Sequence, residues 1–389
     1  MKIRLSDHFN CRRLLRFTLP SIIMMIFTSI YSIVDGFFVS NYVGKTQFAA
    51  VNFIMPFLII LGAFGFMFGT GGSALVAVTL GKGKKEDANR HFSLLIYVSL
   101  AVGIIVAVLG IIFLRPIAAM LGAEGSMLDD CVLYGRIILA ALPAYMLQME
   151  FQSFFVTAER PNFGLAVTIL SGGTNMVLDA LLVGVWKYGL VGAAAATAVS
   201  QLIGGILPLL YFIRKNTSLL KLTRTKWDGR VILKAATNGS SELMSNISMS
   251  IVGMLYNTQL LHYAGENGIA AYGVLMYVGM IFNAAFIGYS VGTAPVTGYH
   301  YGAGNYDELK GIFKKSLGII GCFSVCMLAA SEFLARPLAH LYVGYDEELL
   351  EITVHAFQIY SFSFLFAGFA IFGSGFFTAL NDGPTSALI

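Results

Sequence analysis

The chain has 389 residues, of which 57% are hydrophobic and only 12% charged, with a mean hydropathy of +0.76; an ordinary soluble domain carries roughly 25% charged residues. The formal net charge is +4 and there are four cysteines, so composition excludes a soluble globule, a disordered chain, a coiled coil, a nucleic-acid-binding domain and a disulfide-stapled secreted scaffold. Residues 46–81, 92–114, 188–213, 267–306, 316–331 and 352–381 contain no Asp, Glu, Lys or Arg, and several of these stretches exceed the roughly 20 residues a spanning helix needs. The pattern is that of an all-α polytopic membrane protein whose first partner is the lipid bilayer.

The amino terminus has a basic stretch followed by an apolar run. That run is too long for a signal peptide and no small-residue cleavage pattern follows it, so it reads as the first spanning helix. Charges and turn residues place ten helices at about 14–40, 47–80, 91–114, 130–158, 162–184, 189–213, 232–262, 268–299, 312–335 and 351–380. The first carries Pro20 and, fifteen residues on, Asp35; a proline removes a backbone hydrogen bond and permits a bend. In the fourth, Glu150 is flanked by Gln148 and Gln152 in LQMEFQ and is expected to line a cavity rather than face lipid. The fifth contains TNMVLD, with Asn175 and Asp179 one turn apart on one face. An amide and a carboxylate so placed can jointly hold Na⁺, or the carboxylate can take a proton; an interhelical hydrogen bond accounts for the pair equally well. The sixth holds GAAAAT at 192–197, whose small residues permit close packing and whose Thr197 offers either a neutral oxygen ligand or a packing hydroxyl. Glu242 lies in the seventh helix, and Glu332 in the ninth stands four residues before Arg336, the spacing of an ordinary ion pair. Glu150 and Glu242 are candidates to attract a cationic substrate, helped by aromatic faces and adaptable methionines. Cys11, Cys131, Cys322 and Cys326 form no CxxC and have no histidine spacing for a metal; they read as small apolar residues.

Lys and Arg fall on alternating sides of these helices as 20 against 5 of the 25. The basic side is expected to be cytoplasmic, together with the amino terminus and the polar 214–231 segment. Sliding the sequence by 221 positions superposes Tyr42 and Gly44 on Tyr263 and Gly265, Gly81-x-Gly83 on Gly302-x-Gly304, Arg115-Pro116 on Arg336-Pro337, and Thr157-Ala158 on Thr378-Ala379. The shift carries helices 1–4 onto helices 7–10 in the same orientation, a parallel repeat about an axis along the membrane normal. The expected organisation is an N-terminal lobe at 1–213, a cytoplasmic linker at 214–231 and a C-terminal lobe at 232–389. On this reading two six-helix lobes make twelve helices, about ten are present, and helices 11 and 12 lie beyond Ile389.

FTLP near the start, VDGFFVSNYVG at 34–44, LGKGKKEDA at 80–88, TNMVLD, GAAAATAVSQ at 192–201 and NGSSELMSNIS at 238–248, in this order within two repeated halves, resemble the multidrug and toxic compound extrusion (MATE) family, in particular its DinF-like and MepA-like bacterial branches. The resemblance implies a V-shaped pair of lobes exporting cationic, lipophilic compounds in exchange for Na⁺ or H⁺, without another cofactor. It maps an amino-terminal-lobe cation site onto Asp35, Asn175, Asp179 and Thr197, with Pro20 as the hinge of helix 1. It leaves Gln148, Glu150 and Glu242 as substrate-cavity candidates, Glu242 matching an acid that some branches carry. The acid that some relatives place in helix 10 has no counterpart, since 352–381 holds no carboxylate. The expected protein is a monomeric, multi-pass component of the inner (plasma) membrane, with its amino terminus cytoplasmic. The alternative is a flippase for lipid-linked oligosaccharides of the same superfamily, but that needs a cationic cavity for pyrophosphate, and the deep charges here are acidic. An enzyme is not expected: the HExxH motif is absent and the membrane segments hold no cluster of histidines.

Overall fold

The computed structural model describes residues 3–214, 216–344 and 346–389. It is helical almost throughout: α1 (Cys11–Phe38), α2 (Lys45–Gly81), α3 (Lys85–Met120), α4 (Gly125–Thr157), α5 (Pro161–Leu178), α6 (Gly189–Ile213), α7 (Gly229–Asn238), α8 (Ser240–Gly302), α9 (Tyr306–Val343), α10 (Glu347–Ser361), α11 (Phe364–Ala379) and α12 (Gly383–Leu388). Residues Val39–Val43 and Asp179–Val185, which continue α1 and α5, are wound as π-helix. Local chemistry sets the ends. Asn10 accepts from the Arg13 N–H at the start of α1, and Glu86 and Asp87 occupy the first turn of α3, where the helix dipole favours negative charge. Gly83 and Gly304, 221 residues apart, close the turns after α2 and α8 with φ of 76° and 69°, backbone angles that suit glycine.

Among the described residues eight helices are long and apolar enough to cross a membrane, and α10 with α11, bent by 49°, make a ninth when counted as one span. The seventh expected helix differs most from its sequence reading. Residues 229–238 form a separate short helix capped by Asp228, and α8 runs on from Ser240 through a kink at Gly265 (φ 62°, ψ −153°) to Gly302. The polar string SELMSNISMS keeps the first half of α8 below the hydropathy of the other spans. The expected Glu332–Arg336 pair is also corrected. Glu332 turns inward and accepts from Ser361 of α10, while Arg336 reaches Glu351 at 3.1 Å, because both side chains find partners on the neighbouring helix rather than along their own.

The halves meet along a seam in which backbone lies against backbone. A Cβ on Gly81 would run into the carbonyl oxygen of Tyr299, and one on Gly302 into that of Val78; these two contacts exchange under the 221-residue shift. Gly71 of α2 lies against Ala235 and Gly239, and Gly292 and Gly288 of α8 lie against Thr18 and Ser21–Ile22 of α1. The Asn238 amide, at the break between α7 and α8, donates to the Thr378 carbonyl at 2.9 Å and the Gly71 carbonyl at 3.4 Å, joining α11 to α2. Helices in lipid gain no hydrophobic drive toward one another, so close van der Waals approach at small residues supplies the attraction. These approaches gather toward the end that carries the Lys- and Arg-rich loops. There the segment before α1 also ties the halves together: the Leu5 N–H donates to Glu159 beyond α4 at 2.9 Å, and the Phe9 N–H to Glu308 in the first turn of α9 at 2.8 Å. Toward the opposite end, Met249, Leu255 and Tyr256 of α8 are exposed.

Gly302→Val should therefore destabilise the folded protein by about 1–3 kcal/mol, the cost typical of overpacking. Gly318→Ala in α9, where a Cβ meets nothing, should be neutral or slightly stabilising. Thermal unfolding in detergent, followed by size-exclusion chromatography, separates the two outcomes.

Candidate functional site

Three helices bring the acidic cluster together. α1 lies along α5, and α5 along α6. A Cβ on Gly172 of α5 would enter the rings of Phe27 and Tyr31 of α1, and one on Gly192 of α6 would press on the Leu182 carbonyl in the π-helical continuation of α5. Ser171 fixes the second pair by donating to the Ser200 carbonyl at 2.7 Å. Asp35, half-buried near the end of α1, accepts from the Thr197 hydroxyl of α6 at 3.4 Å and has Asp179 and Asn175 of α5 within interaction range. Asp179 is 0% exposed and Asn175 1%. Both carboxylate oxygens of Asp179 and both amide atoms of Asn175 are buried without a hydrogen-bond partner among the described residues.

Such a cluster is chemically incomplete. Buried polar atoms are nearly always satisfied, and two carboxylates side by side in an apolar medium repel unless a proton or cation stands between them. Two carboxylates, an amide oxygen and a hydroxyl form an all-oxygen donor set that suits a hard cation. Each acid also sits at a change of helical winding: the Asp35 carbonyl accepts from Val39, the first residue of one π-turn, and Asp179 opens the other. The two π-turns touch each other. π-turns inside α-helices often mark functional sites, because the extra residue per turn re-aims side chains. Tyr134 of α4, 1% exposed, lies close enough to feel both acids. Tyr31 of α1 lies within electrostatic range of Asp35 and of Tyr145 of α4, with Gln148 of α4 beside it. Sequence reasoning did not select either tyrosine: a phenol in an apolar helix carries no spacing signal, Tyr31 stands one turn before Asp35 on its own helix, and Tyr134 reaches the acids through the packing of α4 on α6 and α5.

Of the other candidates, Gln148 approaches the cluster by way of Tyr31, and the rest lie apart from it. Pro20 is buried inside α1, which is helical without interruption from Cys11 to Phe38. Gln148 and Gln152 point toward α5 and α6, where they line a crevice of only about 10 Å³ beside Gly164, Gly204 and Pro208, room for roughly one water. Glu150 does not share that face. It is 0% exposed, its backbone pressed against Gly69 of α2 and its side chain directed toward Ser99 of α3. Residues two apart on a helix face nearly opposite sides, whereas those four apart share one, so the two glutamines do not indicate where the intervening acid points. Glu242 is half-buried in the first turn of α8, next to Leu243, which packs on the core of the first half.

A family model described as MatE matches residues 20–181 and 243–389. The chain belongs to the MatE family. Among curated proteins, this MatE chain is 26% identical over 382 residues to the multidrug export protein MepA of Staphylococcus haemolyticus, covering 97% of this chain and 83% of the relative. It is 25% identical over 385 residues to MepA of Staphylococcus aureus with the same coverage. Among solved structures, an outward-facing multidrug resistance MATE family transporter of the MOP superfamily aligns with a TM-score of 0.92 at 22% identity, over 98% of this chain and 85% of that one. A MATE structure in the straight conformation aligns at 0.91 and one in the bent conformation at 0.88, each at 22% identity over 98% and 85% of the two chains. The fold is thus that of the MATE transporters, and the chain is a multi-pass membrane transporter of that family.

Because Glu150 is sealed inside the first half, Glu150→Gln should retain or raise thermal stability, while Glu150→Lys, which leaves an unpaired buried charge, should lose about 3 kcal/mol or more. Fluorescence-detected size-exclusion chromatography after heating reads both.

Proposed function

We propose that this MatE-family protein is an antiporter that exports cationic, lipophilic compounds and toxic substances in exchange for Na⁺ or H⁺. The single observation that carries the proposal is the cluster of Asp35, Asn175, Asp179 and Thr197, in which the buried oxygens of Asp179 and Asn175 have no hydrogen-bond partner among the described residues and call for a cation or proton. The names of the MepA relatives, multidrug export proteins, support the substrate class. In the proposed cycle the coupling ion enters between Asp35 and Asp179 and removes their mutual repulsion. α1 then bends at Pro20, and the halves rock about the glycine seam. Exchange requires that ion and drug favour different states, since a ligand binding both equally shifts nothing. The proposed setting is the inner (plasma) membrane, with the Lys- and Arg-rich end and the amino terminus cytoplasmic, in keeping with the distribution of positive charge. A lipid-linked oligosaccharide flippase is disfavoured by the acidic character of the deep charges.

Efflux of a fluorescent cationic dye from vesicles under an imposed Na⁺ gradient, and separately under a pH gradient, tests the coupling: one gradient should drive efflux, and response to neither sinks the proposal. Asp179→Asn should abolish drug resistance in cells while expression stays intact. Thr197→Val, which removes one neutral ligand and keeps both charges, should weaken ion-driven efflux by a smaller factor, about 3- to 10-fold, in line with the loss of one hydrogen-bonding oxygen.

A further inference from the structure

The segment between α6 and α7 forms a second polar site, separate from the acidic cluster. It crosses the start of α3, where the Lys221 N–H donates to Asn89 at 2.9 Å and the Thr223 N–H to Ser93 at 2.8 Å. Beyond these two bonds the chain lifts away and encloses a cavity of about 490 Å³, walled by Arg90 and His91 of α3 and by Arg224, Lys226, Trp227 and Asp228. The acids in its wall are engaged. Asp228 caps α7 by accepting from the Arg230 and Val231 N–H groups, and Asp87 lies 3.8 Å from Arg90. Arg224 and Lys226 have no acidic partner among the described residues, and the His91 Nδ1 is buried without one.

The other half of the repeat shows how the equivalent place can be filled by protein. The 221-residue shift carries Asp87 onto Glu308 and Asp7 onto Asp228. In the second half Glu308 is occupied by the segment before α1, accepting from the Phe9 N–H and pairing with His8 at 2.7 Å. In the first half the corresponding chain binds Asn89 and Ser93 instead, two and six residues further along α3, so the space beside Asp87 stays open and is lined by cations.

We infer that this cavity binds the phosphate headgroup of an anionic phospholipid. Arginine and lysine together with an indole N–H are donors matched to phosphate oxygens. The surroundings point to a lipid rather than a soluble phosphate: Trp227 is 78% exposed and Leu233 of α7 65% exposed, with Arg230 and Lys234 interleaved between and beside them. Exposed indole and aliphatic side chains set among cations, at the end of spanning helices, are the composition of a membrane interface. The cavity joins α3 of the first half to the start of α7 in the second, so a bound headgroup holds the halves together at the same end as the glycine seam.

The complete protein carrying Trp186→Phe leaves Trp227 as the only tryptophan of this sequence. In nanodiscs of phosphatidylcholine, added brominated phosphatidylglycerol should quench Trp227 saturably, and Arg224→Gln with Lys226→Gln should weaken that apparent affinity by about 10- to 30-fold, each cation near an anionic surface being worth about a factor of five. Brominated phosphatidylcholine should quench the parent and the double variant equally, which also shows that the variant is folded and inserted. Equal quenching by the two lipids in the parent overturns the site, as does unchanged phosphatidylglycerol affinity in the double variant. Competition by millimolar inorganic phosphate would reassign the cavity to a soluble anion and overturn the lipid assignment.

Discussion

Backbone contact at small residues is the constraint on which the rest of this molecule depends. In a bilayer, apolar side chains gain nothing by leaving lipid for another helix, so two helical units stay together only where they approach closely enough for dispersion and carbonyl contacts to act. Gly71, Gly81, Gly288, Gly292 and Gly302 provide that approach between α1 or α2 and the two parts of the second half. The apolar residues Leu14, Phe17 and Ile22 of α1 share a core with Phe286, Ile320 and Phe372 of the second half, while further along α1 Tyr31 and Asp35 belong to the first. One helix thus contributes to both halves, at different depths.

That division gives α1 its place in the proposed cycle. Its first turns are fixed by the seam and by the bonds of Leu5 and Phe9, and its far end carries an acid against two more helices. Pro20 lies between the two, near the level of the Gly288 and Gly292 contacts, where a missing backbone hydrogen bond makes bending least costly. The π-turns at Val39 and Asp179 add a second local irregularity at the level of the acids. The unpaired oxygens of Asp179 and Asn175 lie at that level, whereas backbone meets backbone along the seam.

The repeat is exact in its turns and inexact in its edges. Gly83 and Gly304 make the same turn, and Gly81 and Gly302 exchange contacts, yet the chain that crosses α9 is the amino terminus and the chain that crosses α3 is the link from α6 to α7. Different chemistry on these two crossings leaves one place filled by Phe9 and His8 and its counterpart open and basic. The position equivalent to Asp35 is Tyr256, so that acid likewise belongs to one half only.

Much of this was legible in the one-dimensional pattern. Uncharged runs longer than a bilayer is thick demand helices, because a backbone in lipid has to satisfy its own hydrogen bonds, and the 221-residue spacing of Gly81-x-Gly83 marked the turns that the structure repeats. The Asn175–Asp179 spacing was legible as well, since it depends only on helical periodicity. What the tertiary structure alone decided is which helices meet and how each is rotated about its axis. That Thr197 from α6 meets Asp35 from α1 beside Asp179, that Glu150 turns away from Gln148 toward Ser99, and that Gly239 breaks a helix against Met67 and Gly71 of α2 are outcomes of packing between segments far apart in sequence. Periodicity specifies the faces of a helix, but which face meets a neighbour is set by the close fit of the assembled helices.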